Sequence, residues 1–201
     1  MKEFLKKRWL WLLAACILII ALILVLTQCG GPDAGMPTLT VETPQKLSKT
    51  ETTEFTLDVT ISDLGDALYP AMSMSIAFDA SRLEFLGVEE GNVFVYDTEN
   101  TTGRQLPQWS YDTASSNASG RINIMYLDLT GGKHAFSKGL LAEDDNVVLR
   151  LRFRLKGSVR PGDVMDLILD DAVFAASNEN DSLAMNRNTL KARNGKIVIG
   201  E

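Results

Sequence analysis

The groups in this chain that could do acid–base or metal chemistry are sparse and poorly spaced for it. His134 is the only histidine and sits in "GGKHAF", which reads as an outward turn. Adjacent carboxylates occur at Glu89-Glu90, Asp144-Asp145 and Asp170-Asp171. On a strand, however, successive side chains point to opposite faces, so such neighbours do not converge as an acid and a base. "SNENDS", residues 177–182, offers Asn178, Glu179, Asn180 and Asp181 as hard oxygen ligands, but without EF-hand spacing, and it reads as a solvated hairpin. No nucleophile elbow, phosphate-binding loop or dinucleotide fingerprint is present. The reading is therefore a non-enzymatic protein with no catalytic residue and no metal site of its own. Trp109 and Tyr111, two apart in "QWSYD", share a face if that segment is extended. They form either a sugar-stacking platform or the inner face of a core strand.

The elements that would position any site begin with a segment set apart from the rest. Residues 1–8 form a basic n-region, with Lys2, Lys6, Lys7 and Arg8, followed by an uncharged run over 9–26, "WLWLLAACILIIALILVL". As a helix that run spans about 27 Å, one hydrocarbon core. It predicts either an uncleaved transmembrane anchor with its basic end inside, or a lipoprotein signal with Cys29 in "LTQCGG" as the lipidated residue. Both place the remainder outside a membrane. Residues 27–36 read as a turn-rich linker and 37–201 as one domain. Cys16 and Cys29 are the only cysteines, so that domain has neither a disulfide nor thiol chemistry. Removing the four bases and one acid of the n-region from totals of 20 basic and 26 acidic residues leaves −9. A surface this acidic excludes nucleic acid as a partner.

Beyond the linker the dominant period is two. "EFTLDVTIS" puts Phe55, Leu57, Val59 and Ile61 on one face and polar residues on the other. "TLTVE", "RINIMYLDL", "NVVLRLRFRLKG" and "GKIVIG" behave alike, separated by turn signals. Many short strands without interleaved helices predict an antiparallel sandwich or jelly roll. Residues 95–120, rich in Thr, Ser and Asn, read as a long excursion with a short strand at "PQWSY". In "AMSMSIAFD", Met72, Met74, Ile76 and Phe78 turn inward, leaving Ala71, Ser73, Ser75 and Ala77 as a flat outer surface that a partner can approach closely.

"FDASRLEFLGVEEG", "GRINIMYLDLTGG", "NVVLRLRFRLKG", "DDAVFA" and the closing "NGKIVIG", in that order and spacing, resemble the cohesin domains of bacterial cellulosome-type scaffolds. The resemblance covers residues 36–201. It implies an all-β fold, a nine-stranded jelly-roll β-sandwich, here preceded by one N-terminal transmembrane helix. It also implies a role as a tether that docks a dockerin-containing secreted protein, with calcium carried by the dockerin and no cofactor on this chain. Carried onto this sequence, the partner-binding residues are Ser73, Ser75 and Ala77; Asn123, Met125, Leu127 and Asp128; and Arg150, Arg152 and Arg154. Where many such domains place Asn and Asp, this chain has Ala71 and Ser73. The arginine row either protects a sheet edge or meets an acidic partner. Two other classes stay open: a carbohydrate-binding module acting on polysaccharide through Trp109 and Tyr111, and a self-associating cell-surface subunit.

Overall fold

The computed structural model describes residues 35–44, 46–49, 53–97, 103–131, 133–177 and 183–200. The n-region, the apolar run, Cys29 and the Asn178–Asp181 ligand set lie outside the described residues. Among the described residues, no helix is long and apolar enough to cross a membrane.

Residues Met36–Glu201 form one unit, and its alternating runs become the strands of a sandwich. One sheet contains β1 (Thr38–Val41), β3 (Glu54–Ile61), β5 (Leu83–Glu90), β10 (Val147–Leu155) and β12 (Lys191–Arg193), in the order β12-β1-β3-β10-β5. The other contains β2 (Leu47–Ser48), β4 (Ala71–Ala77), β8 (Arg121–Leu127), β11 (Val164–Ala175) and β13 (Gly195–Gly200), in the order β2-β13-β11-β4-β8. A three-stranded annex joins β6 (Val95–Asp97), β7 (Arg104–Gln105) and β9 (His134–Phe136). The described residues form thirteen strands against the nine implied, with both end runs split by a change of sheet and a short annex added. β1 pairs with β3 while β2 pairs with β13, and β12 pairs with β1 while β13 pairs with β11.

The core lies between the two main sheets. Phe153 of β10 meets Phe55, Phe78 and Phe85 at ring-centre distances of 5.9, 5.5 and 5.7 Å. Leu83 and Phe85 are buried, so the corner that precedes them serves packing. Asp79 builds that corner by accepting from the Ser81 amide at 2.9 Å, and the Ser81 hydroxyl beside it holds the Asp79 carboxyl below its usual range.

The excursion after β6 contains a helix that the apolar periodicity did not announce, α1 (Thr113–Ser119). Its only buried residue is Ser116, so no hydrophobic stripe marks it. Its signals are at the ends: Asp112 accepts from the Ser115 amide at 3.0 Å as N-cap, and Gly120 closes it at φ 68°, a left-handed conformation that suits glycine. Asn117 fastens the helix to β5, accepting from the Phe85 amide and donating to the Phe85 carbonyl, both at 2.8 Å. β5 is an edge strand, and this side chain gives it hydrogen bonds that a neighbouring strand would otherwise supply.

Candidate binding face

Alternation along β4 buries Met72, Met74 and Ile76 and turns Ala71, Ser73, Ser75 and Ala77 outward. β8 does the same, burying Ile122, Ile124 and Tyr126 and presenting Arg121, Asn123, Met125 and Leu127. On the other side of β4 lies β11. The registers set these residues in rows across the sheet: Ala175, Ala71 and Leu127; Val173, Ser73 and Met125; Asp170, Ser75 and Asn123; Ile168, Ala77 and Arg121. The result is a shallow trough whose floor is the small side chains of β4 and whose walls are β8 and β11. With strands about 4.8 Å apart the walls stand about 10 Å from each other, close to the width of one helix. Met125, Leu127 and Ile168 are 46%, 51% and 49% exposed. Met125 and Leu127 are neighbours on β8 and make an apolar patch beside the small residues of β4, whereas Ile168 stands on the opposite wall in the Ala77 row, at the other end of the trough. The Ser75 hydroxyl donates to Asn123 Oδ1 at 2.6 Å, which ties floor to wall.

Among the described residues, the excursion meets this trough at its β8 wall, where Gln105, Leu106 and Gln108 line a cavity with Met125 and Leu127. Ser110 pairs with Met125 in the plane of the sheet, amide to carbonyl at 2.8 and 3.0 Å, extending the β8 edge without covering β4. The short strand expected at "PQWSY" is thus a single bridge. Trp109 packs inward beside it, its ring stacked on Phe136 at 6.1 Å and edge-on to Tyr126, with Nε1 buried and without a hydrogen-bond partner. Tyr111 lies edge-on to Phe85 at 5.9 Å and over Gly87, where a Cβ would come within 3.1 Å of its hydroxyl. The two rings therefore pack against separate parts of the core rather than side by side as a platform.

Asp128 is turned into the fold at the end of β8. Its side chain is 1% exposed and accepts from the Thr130 amide at 2.9 Å, the Thr130 hydroxyl at 2.6 Å and the His134 amide at 3.3 Å. His134 Nδ1 stands 3.7 Å from the same carboxylate. Burial, with Asp128 nearby, pushes the Tyr126 phenol up to about 12. The cluster shapes a turn that presents Leu129, 88% exposed, beyond the end of the trough.

The three arginines are not brought together with the other predicted site residues. β10 is the central partner of β3 and β5 in the opposite sheet, so Arg150, Arg152 and Arg154 lie on the far outer face. There they are matched by acids: Arg150 to Asp58 at 3.1 Å, Arg152 to Glu54 and Glu89 at 3.4 and 3.2 Å, and Arg154 to Glu54 and Glu84 at 2.6 and 3.0 Å. The hydrogen bond from Arg154 holds Glu54 below its usual range. A row that reads as basic in the sequence is a neutralised ladder in space. What the sequence reading missed is β11 as the second wall, with Ile168 and the Asp170-Asp171 pair.

A two-sheet sandwich with a small-residue trough on one face and a charge-matched opposite face defines a class of surface-binding module. A family model for the cohesin domain matches residues 38–194, and the chain belongs to that family. None of the curated proteins matches it. Among solved structures, it is similar to the third cohesin of ScaC from Acetivibrio cellulolyticus in complex with the ScaB dockerin, at 13% identity and TM-score 0.58, covering 83% of this chain and 100% of that one. It is similar to CaCohA2 from Clostridium acetobutylicum at 23% identity and TM-score 0.56, covering 82% and 91%. A non-cellulosomal cohesin from the archaeon Archaeoglobus fulgidus matches at 14% identity and TM-score 0.51, covering 83% and 93%.

Proposed function

We propose that this chain is a membrane-tethered, extracytoplasmic binding module that docks a dockerin-bearing secreted protein, through the outer face of β8, β4 and β11. The observation that carries this reading is the trough itself: Met125, Leu127 and Ile168 stand half-exposed on the two walls that flank Ser73, Ser75 and Ala77. Burying the three apolar side chains against a partner would stabilise the complex by about 1.5–3 kcal/mol each if burial were complete. Family membership and the dockerin complexes named among its structural neighbours support the kind of partner. The basic n-region and the apolar run over 9–26 support the tether, with Cys29 as the site of a lipid in the alternative anchoring mode.

The role is adhesion rather than catalysis: the module would hold a polysaccharide-degrading enzyme or scaffold at the cell surface, with calcium on the dockerin. The test is capture of the source organism's extracellular proteins on the immobilised chain, with calcium and with chelator, identified by mass spectrometry. Recovery of a dockerin-bearing protein only with calcium is expected. Recovery of none by a folded chain would reject the assignment.

A further inference from the structure

Arg121 does something on this face that its place in the sequence does not suggest. It stands on β8 opposite Ala77 of β4, yet its guanidinium reaches Asp170 and Asp171 of β11, with Nη2 at 3.2 and 3.5 Å from their Oδ2 atoms. Since β4 lies between β8 and β11, the side chain must cross the outer surface of β4 to make these contacts. Two local features permit the crossing. Ala77 and Ser75 beneath it are small enough to leave the path clear. The register of β11 also shifts between Asp170 and Val173, with Asp171 at φ 49°, and this bulge breaks the alternation so that both carboxylates face outward. A regular strand would have hidden one of them. Arg187 holds the second carboxylate from the other side, at 3.6 Å from Asp171 Oδ1.

We propose that Arg121 is a strap across the docking face: it admits only small side chains of a docked partner over the Ser75–Ala77 end of the trough and leaves the end lined by Ser73, Met125 and Leu127 to large ones. This rests on the docking reading for its consequence but not for its geometry. A partner that places a large side chain over Ala77 must first displace Arg121 from two carboxylates. One that presents a small residue there passes beneath the selection. The strap is thus a specificity-determining element, and an electrostatic one, weakened where salt shortens the Debye length to about 3 Å at 1 M.

The test uses the full chain with Cys16 and Cys29 replaced by serine and a single thiol introduced as Ala77→Cys, or as Ser73→Cys for the control. The readout is the rate of modification by a bulky neutral maleimide divided by the rate with N-ethylmaleimide, a ratio in which any effect of Arg121 on thiol ionisation cancels. An exposed pair of this kind holds its closed state over the open one by up to about fivefold, so Arg121→Ala is expected to raise the ratio at position 77 by about threefold to fivefold. Asp170→Asn with Asp171→Asn releases the strap from its other end and should do the same, as should 1 M salt. The ratio at position 73 should not move. A ratio at position 77 that is unchanged by all three treatments, or an equal rise at position 73, would overturn the strap. No dockerin enters this experiment, so its outcome is separate from the success or failure of the docking assignment.

Discussion

At the scale of single residues, exposure and pairing separate the side chains of the proposed docking face from those that serve the fold. Met125 and Leu127 support little of the core, so truncating both to alanine should leave stability within about 0.5 kcal/mol of wild type while lowering dockerin affinity at least about tenfold. Thermal unfolding and titration calorimetry on the same samples check the two halves. Leu83→Ala is the converse: the residue is fully buried, and its loss should cost about 2–5 kcal/mol in denaturant unfolding. Glu54 carries the pH prediction. Its carboxyl is held below its ordinary value of 4.5 by the hydrogen bond from Arg154, so its contribution is fully present above that value and is lost as pH falls through the lower folded value. Glu54→Gln should therefore flatten the acid limb of the stability curve below about pH 4.5 and leave a smaller change at 1 M salt.

At the scale of elements, the strands were legible because half-buried sheets write their period into the chain. β4 and β8 bury the residues that the alternation selects, as does β3 apart from the half-buried Phe55, and their outward sets follow directly. Sheet membership is not written in that period. Nothing in "NVVLRLRFRLKG" says whether it adjoins β4 or β3, and it adjoins β3, which takes the three arginines away from Ser73, Ser75 and Met125. The Asp170-Asp171 pair failed as a sequence argument for a related reason: opposite-face geometry holds in a regular strand, and β11 bulges there. Helix α1 was missed because a helix that buries one serine has no apolar period to find, although its capping Asp112 and Gly120 stood at the right spacing. Its attachment to β5 gives a prediction at this scale. Asn117→Ala leaves the buried Phe85 amide without its acceptor, which should cost about 1–3 kcal/mol and speed hydrogen exchange at that amide. Unaltered exchange at Phe85 would show that the helix does not protect the β5 edge.

At the scale of the whole molecule, the two outer faces of the sandwich differ in chemistry. One carries apolar side chains around a small-residue floor, and the other carries Arg150, Arg152 and Arg154 cancelled by Asp58, Glu54, Glu84 and Glu89. A surface whose charges are already paired has little left to offer a partner, whereas the trough offers area that water leaves readily. The account therefore stands on which face binds. The most direct measurement is calcium-dependent capture of a dockerin-bearing protein by the wild-type chain, by a Met125→Asp, Leu127→Asp variant and by Arg152→Gln, each first shown to be folded. Capture by wild type and Arg152→Gln but not by the double aspartate variant is the predicted result. Undiminished capture by the double variant, or loss of capture on Arg152→Gln alone, would contradict it.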